Sequence, residues 1–449
     1  MAVIRSLTVL IATLALAAPG STETLPATPD VLTLDEALTL ALQNNRSVGR
    51  AALQVERAER RVGASRARRL PTLEFQATAG TTLNTIRVSY PGGAFGTFPG
   101  IGPIPAEDTV VEAPPSLSGN VNATLSQPLT QLHRIGLNTK LNEIGRDIEQ
   151  EKLREERAAI AAEVRRLYYG LLQTESTLHA KEEQVRVYQE LDRVVGHQVA
   201  VEVALRSDGL DVKARLATEE YELLGLQGDL ATGKEQMNNL LGRDLAHDFS
   251  LVAVPETSFE EVNLPAAIAL ALKHRPDLAQ ARLAVKQADT DRRMKKAESI
   301  PDLSLVVSYY TFVNVDLLPR NVALAGVQLK WEPFDWGRRG KEQAEKALQV
   351  EQARSTAQEA EDRVRIDVAQ RFRKVQETRL LVEAERLGRE AAREKLRVAT
   401  SRHREDAALL KDVLEAQATM SGAQAQYDRA LLTFWTAKAD FQKAIGEEQ

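Results

Sequence analysis

One pattern occurs twice in this 449-residue chain and constrains its fold more than any other feature. "RRLPTLEFQATAG" begins at Arg68, and "ESIPDLSLVVSYY" begins at Glu298. In each stretch a helical pattern ends at a proline, which lacks a backbone N–H and disfavours helix in the residue before it. Apolar and polar residues then alternate, which is typical of a β-strand. The order helix, proline, strand is therefore present in two distant places.

The two stretches belong to a longer internal match. Residues 34–71 align with residues 264–301 at an offset of 230, and residues 164–242 align with residues 368–446 at an offset of 204. Because the offset falls, the first copy carries about 25 extra residues between its strands. These residues are rich in glycine and proline, which predicts an exposed loop. We interpret the chain as a tandem duplication.

The two predicted repeats contain the same elements. The first, 18–242, has a helix over 34–69, a β-hairpin over 72–127 and a long helix pair over 134–242. The second, 243–449, has a strand and short helices over 249–299, a β-hairpin over 302–332 and a long helix pair over 337–446. Strand and helix meet at predicted junctions marked by Pro71, Pro128, Pro301, Pro333, Asp335 and Gly337.

Helix boundaries have local signals. Thr33 and Glu36 have the spacing of a capping box at the first helix, and Gly242 is placed to end the helix before it. Residues 134–195 contain no proline and keep apolar residues at heptad spacing, broken at Thr174, Lys181 and Asp192. At 1.5 Å per residue this helix is roughly 90 Å long. The sequence therefore predicts an elongated coiled-coil architecture.

The predicted hairpins have one apolar and one polar face. Strands of about ten residues with this alternation match the tilted strands of an outer-membrane barrel, and a small soluble sheet packed on helices is the alternative. Open sheet edges are not tolerated in lipid, and four strands cannot close a barrel. The barrel interpretation therefore requires several chains to share one barrel.

Composition excludes several classes of protein. The chain has no cysteine, so it has no disulfide, thiolate metal site or cysteine nucleophile, and its net charge of -5 argues against nucleic-acid binding. The six histidines do not have metal-ligand spacing, and the sequence contains none of the common nucleotide-binding or hydrolase motifs. We therefore expect no enzyme activity, cofactor or metal.

The N-terminus has the pattern of an export signal. Arg5 precedes an apolar run that is too short to span a bilayer as a stable helix, and Ala15-Leu16-Ala17 is a cleavage-site pattern. We predict a signal peptide over 1–17, with a membrane anchor as the alternative.

The chain resembles TolC-type outer-membrane efflux proteins over nearly all of its predicted mature length. The resemblance rests on "LTLDEALTLALQNN", "LPTLEF", "WEPFDWGRR", "NNLLGRDL", "KDVLEAQATMSGAQAQYDRAL" and the internal duplication. It implies a homotrimer with a twelve-stranded barrel in outer-membrane lipid and an α-helical barrel crossing the periplasm. Its implied role is the exit duct of a tripartite efflux pump or type I secretion system, which works with a periplasmic adaptor and an inner-membrane transporter.

The resemblance also implies an acidic periplasmic aperture just after the helix–helix turns. Asp412 and Glu415 occupy those positions in the second copy, and Asp208 is the counterpart of Asp412 in the first. Ala408 stands where the family often has a basic residue that clamps the closed state, so the resemblance does not carry that clamp over to this chain. Acidic residues at a helix start are also favoured by the helix dipole, which is the alternative explanation.

Two other functions are compatible with parts of the pattern. A soluble periplasmic coiled-coil adaptor or scaffold would account for the long helices but not for the alternating strands. An envelope enzyme with a helical stalk would need a convergent polar site, and the sequence contains no such constellation.

Overall fold

The computed structural model describes residues 30–81, 83–254, 263–314, 319–405 and 407–447. The predicted signal peptide over 1–17 lies outside these residues. The elements, in chain order, are β1 (Asp30–Leu32), α1 (Leu34–Asn44), α2 (Arg46–Ala67), β2 (Thr72–Thr81), β3 (Ile86–Tyr90), β4 (Thr97–Phe98), β5 (Gly102–Pro103), β6 (Thr109–Ala113), β7 (Leu117–Pro128), α3 (Gln131–Ala200), α4 (Arg206–Leu241), β8 (Phe249–Leu251), α5 (Leu264–His274), α6 (Pro276–Ala297), β9 (Asp302–Val313), β10 (Asn321–Lys330), α7 (Arg338–Arg404) and α8 (Leu410–Ala444).

Two very long helices dominate the molecule. α3 has 70 residues and α7 has 67, so each is about 100 Å long at 1.5 Å per residue. α3 packs against α4 and α8, and α7 packs against α6 and α8. None of the described helices is both long and apolar enough to cross a membrane.

The first predicted helix is in fact two helices. The prediction of one helix over 34–69 is wrong because Asn45 is extended, with ψ of 128°. Its side-chain Oδ1 accepts a hydrogen bond from the Ser47 N–H at 2.8 Å, and its Nδ2 donates to the Leu240 carbonyl oxygen at 3.0 Å. Asn45 therefore caps α2 and ties the bend to the end of α4, a contact that local sequence does not reveal. The predicted capping box of Thr33 and Glu36 at α1 is confirmed.

The corresponding bend in the second half is at Arg275, which is also extended. Its guanidinium donates hydrogen bonds to the carboxylates of Asp277 and Asp367, the latter at 2.6 Å. Burial alone would raise the pKa of Asp277, but the hydrogen bonds and charge of Arg275 outweigh burial and lower it. A charged cluster thus occupies the place that Asn45 holds in the first half.

The main core lies where the short helices meet the long ones. Tyr168 of α3 is almost fully buried there, and its hydroxyl lies 3.1 Å from the Leu32 carbonyl oxygen and 2.8 Å from the Val252 carbonyl oxygen. These contacts hold the small parallel sheet of β1 and β8 against the long helix. A second core cluster surrounds Leu278, Val364, Val368 and Phe441.

The four long strands form one antiparallel sheet in the order β10-β9-β7-β2. β2 pairs with β7 from Thr72 opposite Ser126 onward, and β9 pairs with both β7 and β10. Composition predicted only an exposed loop between β2 and β7. The structure contains two further antiparallel ladders there, β3 with β6 and β4 with β5, so backbone pairing organises much of this insertion.

Candidate functional site

One face of the four-stranded sheet is apolar and exposed. Residues opposite one another in antiparallel strands share a face, so the register defines this surface, which we call the apolar face. Most of its large hydrophobic side chains are at least 42% exposed. They are Leu73, Phe75, Leu117, Val121, Leu125, Leu305, Val307, Tyr309, Val313, Val327 and Leu329. An apolar surface of this extent marks contact with another protein or with lipid.

The other face, which we call the second face, differs between the two hairpins. In the first hairpin it carries polar side chains: Thr72, Glu74, Gln76, Thr78, Asn120, Asn122, Thr124 and Ser126. In the second it carries five apolar or aromatic side chains, Val306, Tyr310, Phe312, Val322 and Leu324, beside the polar Asp302, Ser304, Ser308, Gln328 and Lys330. Thr124 and Ser308 join the hairpins on this face, with 3.2 Å between their hydroxyl oxygens.

Both edges of the sheet lack a partner strand among the described residues. β2 pairs only with β7, and β10 pairs only with β9. Each edge strand has ten residues, so each presents a row of unpaired backbone groups. Such edges are templates for pairing with another chain.

The predicted junction prolines lie where strands meet helices. Pro71 lies between α2 and β2, Pro128 is the last residue of β7, and Pro301 precedes β9. Pro333 lies in the irregular segment 331–335 after β10. The structure brings the junctions after Pro128 and at Pro301 together, but sequence reasoning missed the residue that joins them, Thr130.

Asp335 and Gly337 together start α7. The Asp335 carboxylate accepts hydrogen bonds from the backbone N–H groups of Arg339 at 3.0 Å and Gly337 at 3.1 Å. These bonds, that from Arg339 foremost, lower the pKa of Asp335. Gly337 has a φ of 82°, a conformation that glycine adopts without strain. The two residues therefore act as the start signal of the helix.

Asp208 and Asp412 occupy equivalent places in the two helix–helix turns. The Asp208 carboxylate accepts a hydrogen bond from the Leu205 N–H at 3.2 Å, and the Asp412 carboxylate accepts one from the Leu409 N–H at 3.0 Å. Both are exposed. Glu415 is exposed one turn further along α8, and one of its carboxylate oxygens lies 3.6 Å from the Lys411 Nζ. The two aspartates thus have a local structural role that does not depend on an aperture.

A half-buried charged cluster joins α3 to α4. The Lys181 Nζ lies 2.7 Å from a carboxylate oxygen of Glu219 and 2.7 Å from one of Glu222. Burial alone would lower the pKa of Lys181, but hydrogen bonds to the two carboxylates outweigh it and raise the pKa. The sequence showed that Lys181 interrupts the heptad seam, but the partners come from another helix.

An open groove of about 580 Å³ lies between α3 and α8. Glu175, His179 and Asp428 are among the side chains that line it, and burial raises the pKa of Glu175. The parts of the chain that the structure describes contain no group of three or more acidic or histidine side chains placed to hold a metal ion.

Comparison with solved structures identifies the architecture. The Campylobacter jejuni CmeC outer membrane channel matches with a TM-score of 0.74 and 15% identity, covering 93% of this chain and 87% of that one. The Neisseria gonorrhoeae MtrE outer membrane channel, in its open state, matches with a TM-score of 0.71 and 19% identity, covering 92% of this chain and 88% of that one. The Vibrio cholerae outer membrane protein VceC matches with a TM-score of 0.70 and 16% identity, covering 92% of this chain and 96% of that one. These matches show that the chain has the fold of TolC-like outer-membrane channels.

The sequence itself matches the family model described as outer membrane efflux protein, over residues 37–243 and 267–447. No curated protein sequence gives a significant match. The family model covers well over half of the chain, and its members are transport conduits. The chain therefore belongs to the outer membrane efflux protein family of TolC-type channels.

Proposed function

We propose that three copies of this chain form the exit duct of a tripartite efflux pump or type I secretion system. The observation that carries the proposal is a four-stranded sheet whose two edges have no partner strand in the described part of the chain and whose apolar face is exposed. Joining β2 of one copy to β10 of the next would pair every edge. Three copies would give twelve strands and a closed barrel, as lipid requires.

The lengths of the elements support this placement. A strand of nine to eleven residues spans the bilayer when tilted, and β2 and β10 have ten residues each. Trp336 is 89% exposed and Phe334 is 67% exposed at the junction before α7, where an interfacial aromatic girdle would lie. The helices, about 100 Å long, would then extend away from the barrel into the periplasm.

The duct would be passive and gated at the helix turns. Energy and substrate selection would come from an inner-membrane transporter, joined to the duct by a periplasmic adaptor. In this assembly Asp412 and Glu415, with Asp208, would form acidic rings at the periplasmic aperture and favour cations. The two stretches matched by the family model, 37–243 and 267–447, support a tandem duplication with repeats 18–242 and 243–449.

Membrane fractionation and native mass in detergent test the proposal directly. We expect a homotrimer in the outer-membrane fraction. A soluble monomer would instead support the alternative, a periplasmic coiled-coil adaptor or scaffold.

Cysteine cross-linking tests the strand pairing, because the chain has no cysteine of its own. Gln76→Cys on β2 would be combined in turn with Val322→Cys, Leu324→Cys or Gly326→Cys on β10. We expect at least one pair to give covalent trimers on oxidation, since paired strands bring Cα atoms within disulfide reach. Asn122→Cys on the central strand β7, combined with the same β10 positions, is the matched control and should give none.

A further inference from the structure

The second face of the sheet has an apolar and aromatic half that the structural role of the sheet does not explain. The rings of Tyr310 and Phe312 are stacked, with centroids 6.3 Å apart and planes within 10° of parallel. Val322 lies directly opposite Tyr310 on β10, and Leu324, opposite Ser308, is 62% exposed. Lipid cannot cover these side chains, because they lie on the face opposite the apolar face.

In the trimeric barrel of the proposed function, on which this inference rests, the second face lines the lumen. A barrel of twelve strands, spaced about 4.8 Å apart and tilted by about 40°, is about 24 Å across between backbones, too wide for side chains to fill. Barrel lumens that carry water are lined by polar side chains. The first hairpin presents such side chains on its second face. The apolar residues of the second hairpin would therefore face whatever solute passes through.

The same lumenal surface carries one carboxylate away from the ends of the sheet. Glu74 lies in the row Glu74–Thr124–Ser308–Leu324, next to the row that contains Tyr310. The other charged side chains on this face, Asp302 and Lys330, lie at the strand ends beside the junctions, where Asp302 pairs with Arg134 at 3.1 Å.

Glu74 and the aromatic pair lie in neighbouring rows of the second face. Thr124 lies opposite both Glu74 and Ser308, and Tyr310 is two residues beyond Ser308 on β9. The strand order places β2 two strands from β9 within one copy. Strand spacing and rise then put the two Cα atoms about 12 Å apart. Three copies would present three carboxylates and three aromatic pairs around the lumen.

We infer that this surface is a contact site for organic cations that carry an aromatic ring, and that it biases the duct toward such solutes. Carboxylates attract the positive charge, and aromatic faces bind both rings and cations. The site would act after the pump has released its cargo, so it would tune passage through the outer membrane rather than selection by the transporter.

Planar-bilayer recordings of the full-length purified trimer test the inference. Benzyltriethylammonium, added on the barrel side, supplies ring and charge. Tetraethylammonium lacks the ring, and benzenesulfonate has the opposite charge. We expect block by benzyltriethylammonium to be the strongest. The double variant Tyr310→Leu with Phe312→Leu should weaken that block by about fivefold to tenfold, as expected for loss of cation–π contacts.

Two charge variants and one aromatic control complete the design. Glu74→Gln should weaken block by both cations about threefold and reduce the cation selectivity measured by reversal potential. Tyr309→Leu removes an aromatic side chain from the apolar face of the same strand, and Glu107→Gln removes an exposed carboxylate from the β2–β7 insertion. Both controls should leave block unchanged. If the double variant does not assemble, Phe312→Leu alone should still weaken the benzyltriethylammonium block about threefold.

The outcomes separate this inference from the proposed function. A conducting trimer in which block is insensitive to Glu74, Tyr310 and Phe312, or in which benzenesulfonate blocks equally well, would overturn the inference alone. A chain that forms neither a trimer nor a conducting channel would overturn the proposed function and the inference together.

Discussion

The Thr130 hydroxyl donates a hydrogen bond to the Pro301 carbonyl oxygen at 2.6 Å. The hydroxyl oxygen of Thr130 in turn accepts a hydrogen bond from the Leu303 N–H at 2.8 Å. One side chain therefore joins the start of α3, in the first half of the chain, to the start of β9, in the second half. This contact couples the position of the longest helix to the register of a central strand.

Thr130→Val should destabilise the assembled protein by about 1–3 kcal/mol, because it leaves a partly buried carbonyl oxygen and N–H without their partner. Thr130→Ser keeps the hydroxyl and should therefore retain most of the stability that Thr130→Val loses. The midpoint of thermal unfolding in detergent measures both effects. Equal midpoints for the valine and serine variants would show that the hydroxyl does not matter.

Gly242→Ala should be destabilising by more than about 1 kcal/mol, because Gly242 has a φ of 68° and an added Cβ would lie 2.7 Å from the Asn44 carbonyl oxygen. Gly63→Ala is the matched control: Gly63 lies within α2 and an added Cβ meets nothing within 4 Å. This control should be stabilising by about 0.5–1 kcal/mol. Chemical denaturation measures the change in unfolding free energy for each variant, and we expect the two changes to have opposite signs.

Asp277→Asn should reduce stability at pH 7 by about 1–3 kcal/mol, because it removes one of the two carboxylates that accept hydrogen bonds from Arg275. The lowered pKa of Asp277 means that its stabilising contribution is present above the unfolded pKa of about 3.9 and is lost as the pH falls through the lower folded value. The difference in unfolding midpoint between wild type and variant should therefore shrink below about pH 4. A difference that stays constant from pH 7 to pH 3 would contradict this.

Asp412→Asn combined with Glu415→Gln should weaken block by divalent cations added on the periplasmic side, because it removes two charges from each copy at the proposed aperture. The side-chain amide oxygen introduced by Asp412→Asn can still accept the hydrogen bond from the Leu409 N–H, so the start of α8 should be preserved. Glu235→Gln, which removes an exposed carboxylate from the far end of α4, is the control. Unchanged block would leave Asp412 with its capping role alone.

A protease site inserted between Gly100 and Ile101 should be cut in intact cells, because the proposed topology places the β2–β7 insertion outside the cell. Ile101 is 75% exposed in the turn between β4 and β5, so the site would be accessible without disturbing the β3–β6 ladder. Cleavage only after the outer membrane is permeabilised would show that the insertion faces the periplasm and would contradict the proposed topology.

Much of the fold could be predicted because its signals are local. The capping box at Thr33 depends on residues three apart, and the left-handed Gly242 at the end of α4 depends on the absence of a side chain. The alternation of β2 and β9 and the proline before each strand likewise depend on neighbours in sequence. Periodicity, caps and proline stereochemistry act within one or two turns, so the sequence alone determined the order of strands and long helices.

Contacts between distant residues were decided only by the tertiary structure. The bend at Asn45 depends on its contact with Leu240, and the junction at Thr130 depends on its contact with Pro301. Lys181 likewise finds its partners, Glu219 and Glu222, on another helix. The pairing of strands in the β2–β7 insertion also required the folded chain. The sequence by itself determined the long helices, the four long strands and the apolar face of each hairpin. Only the tertiary structure decided which buried polar groups find partners and that two sheet edges stay open, because these depend on where packing brings distant segments together.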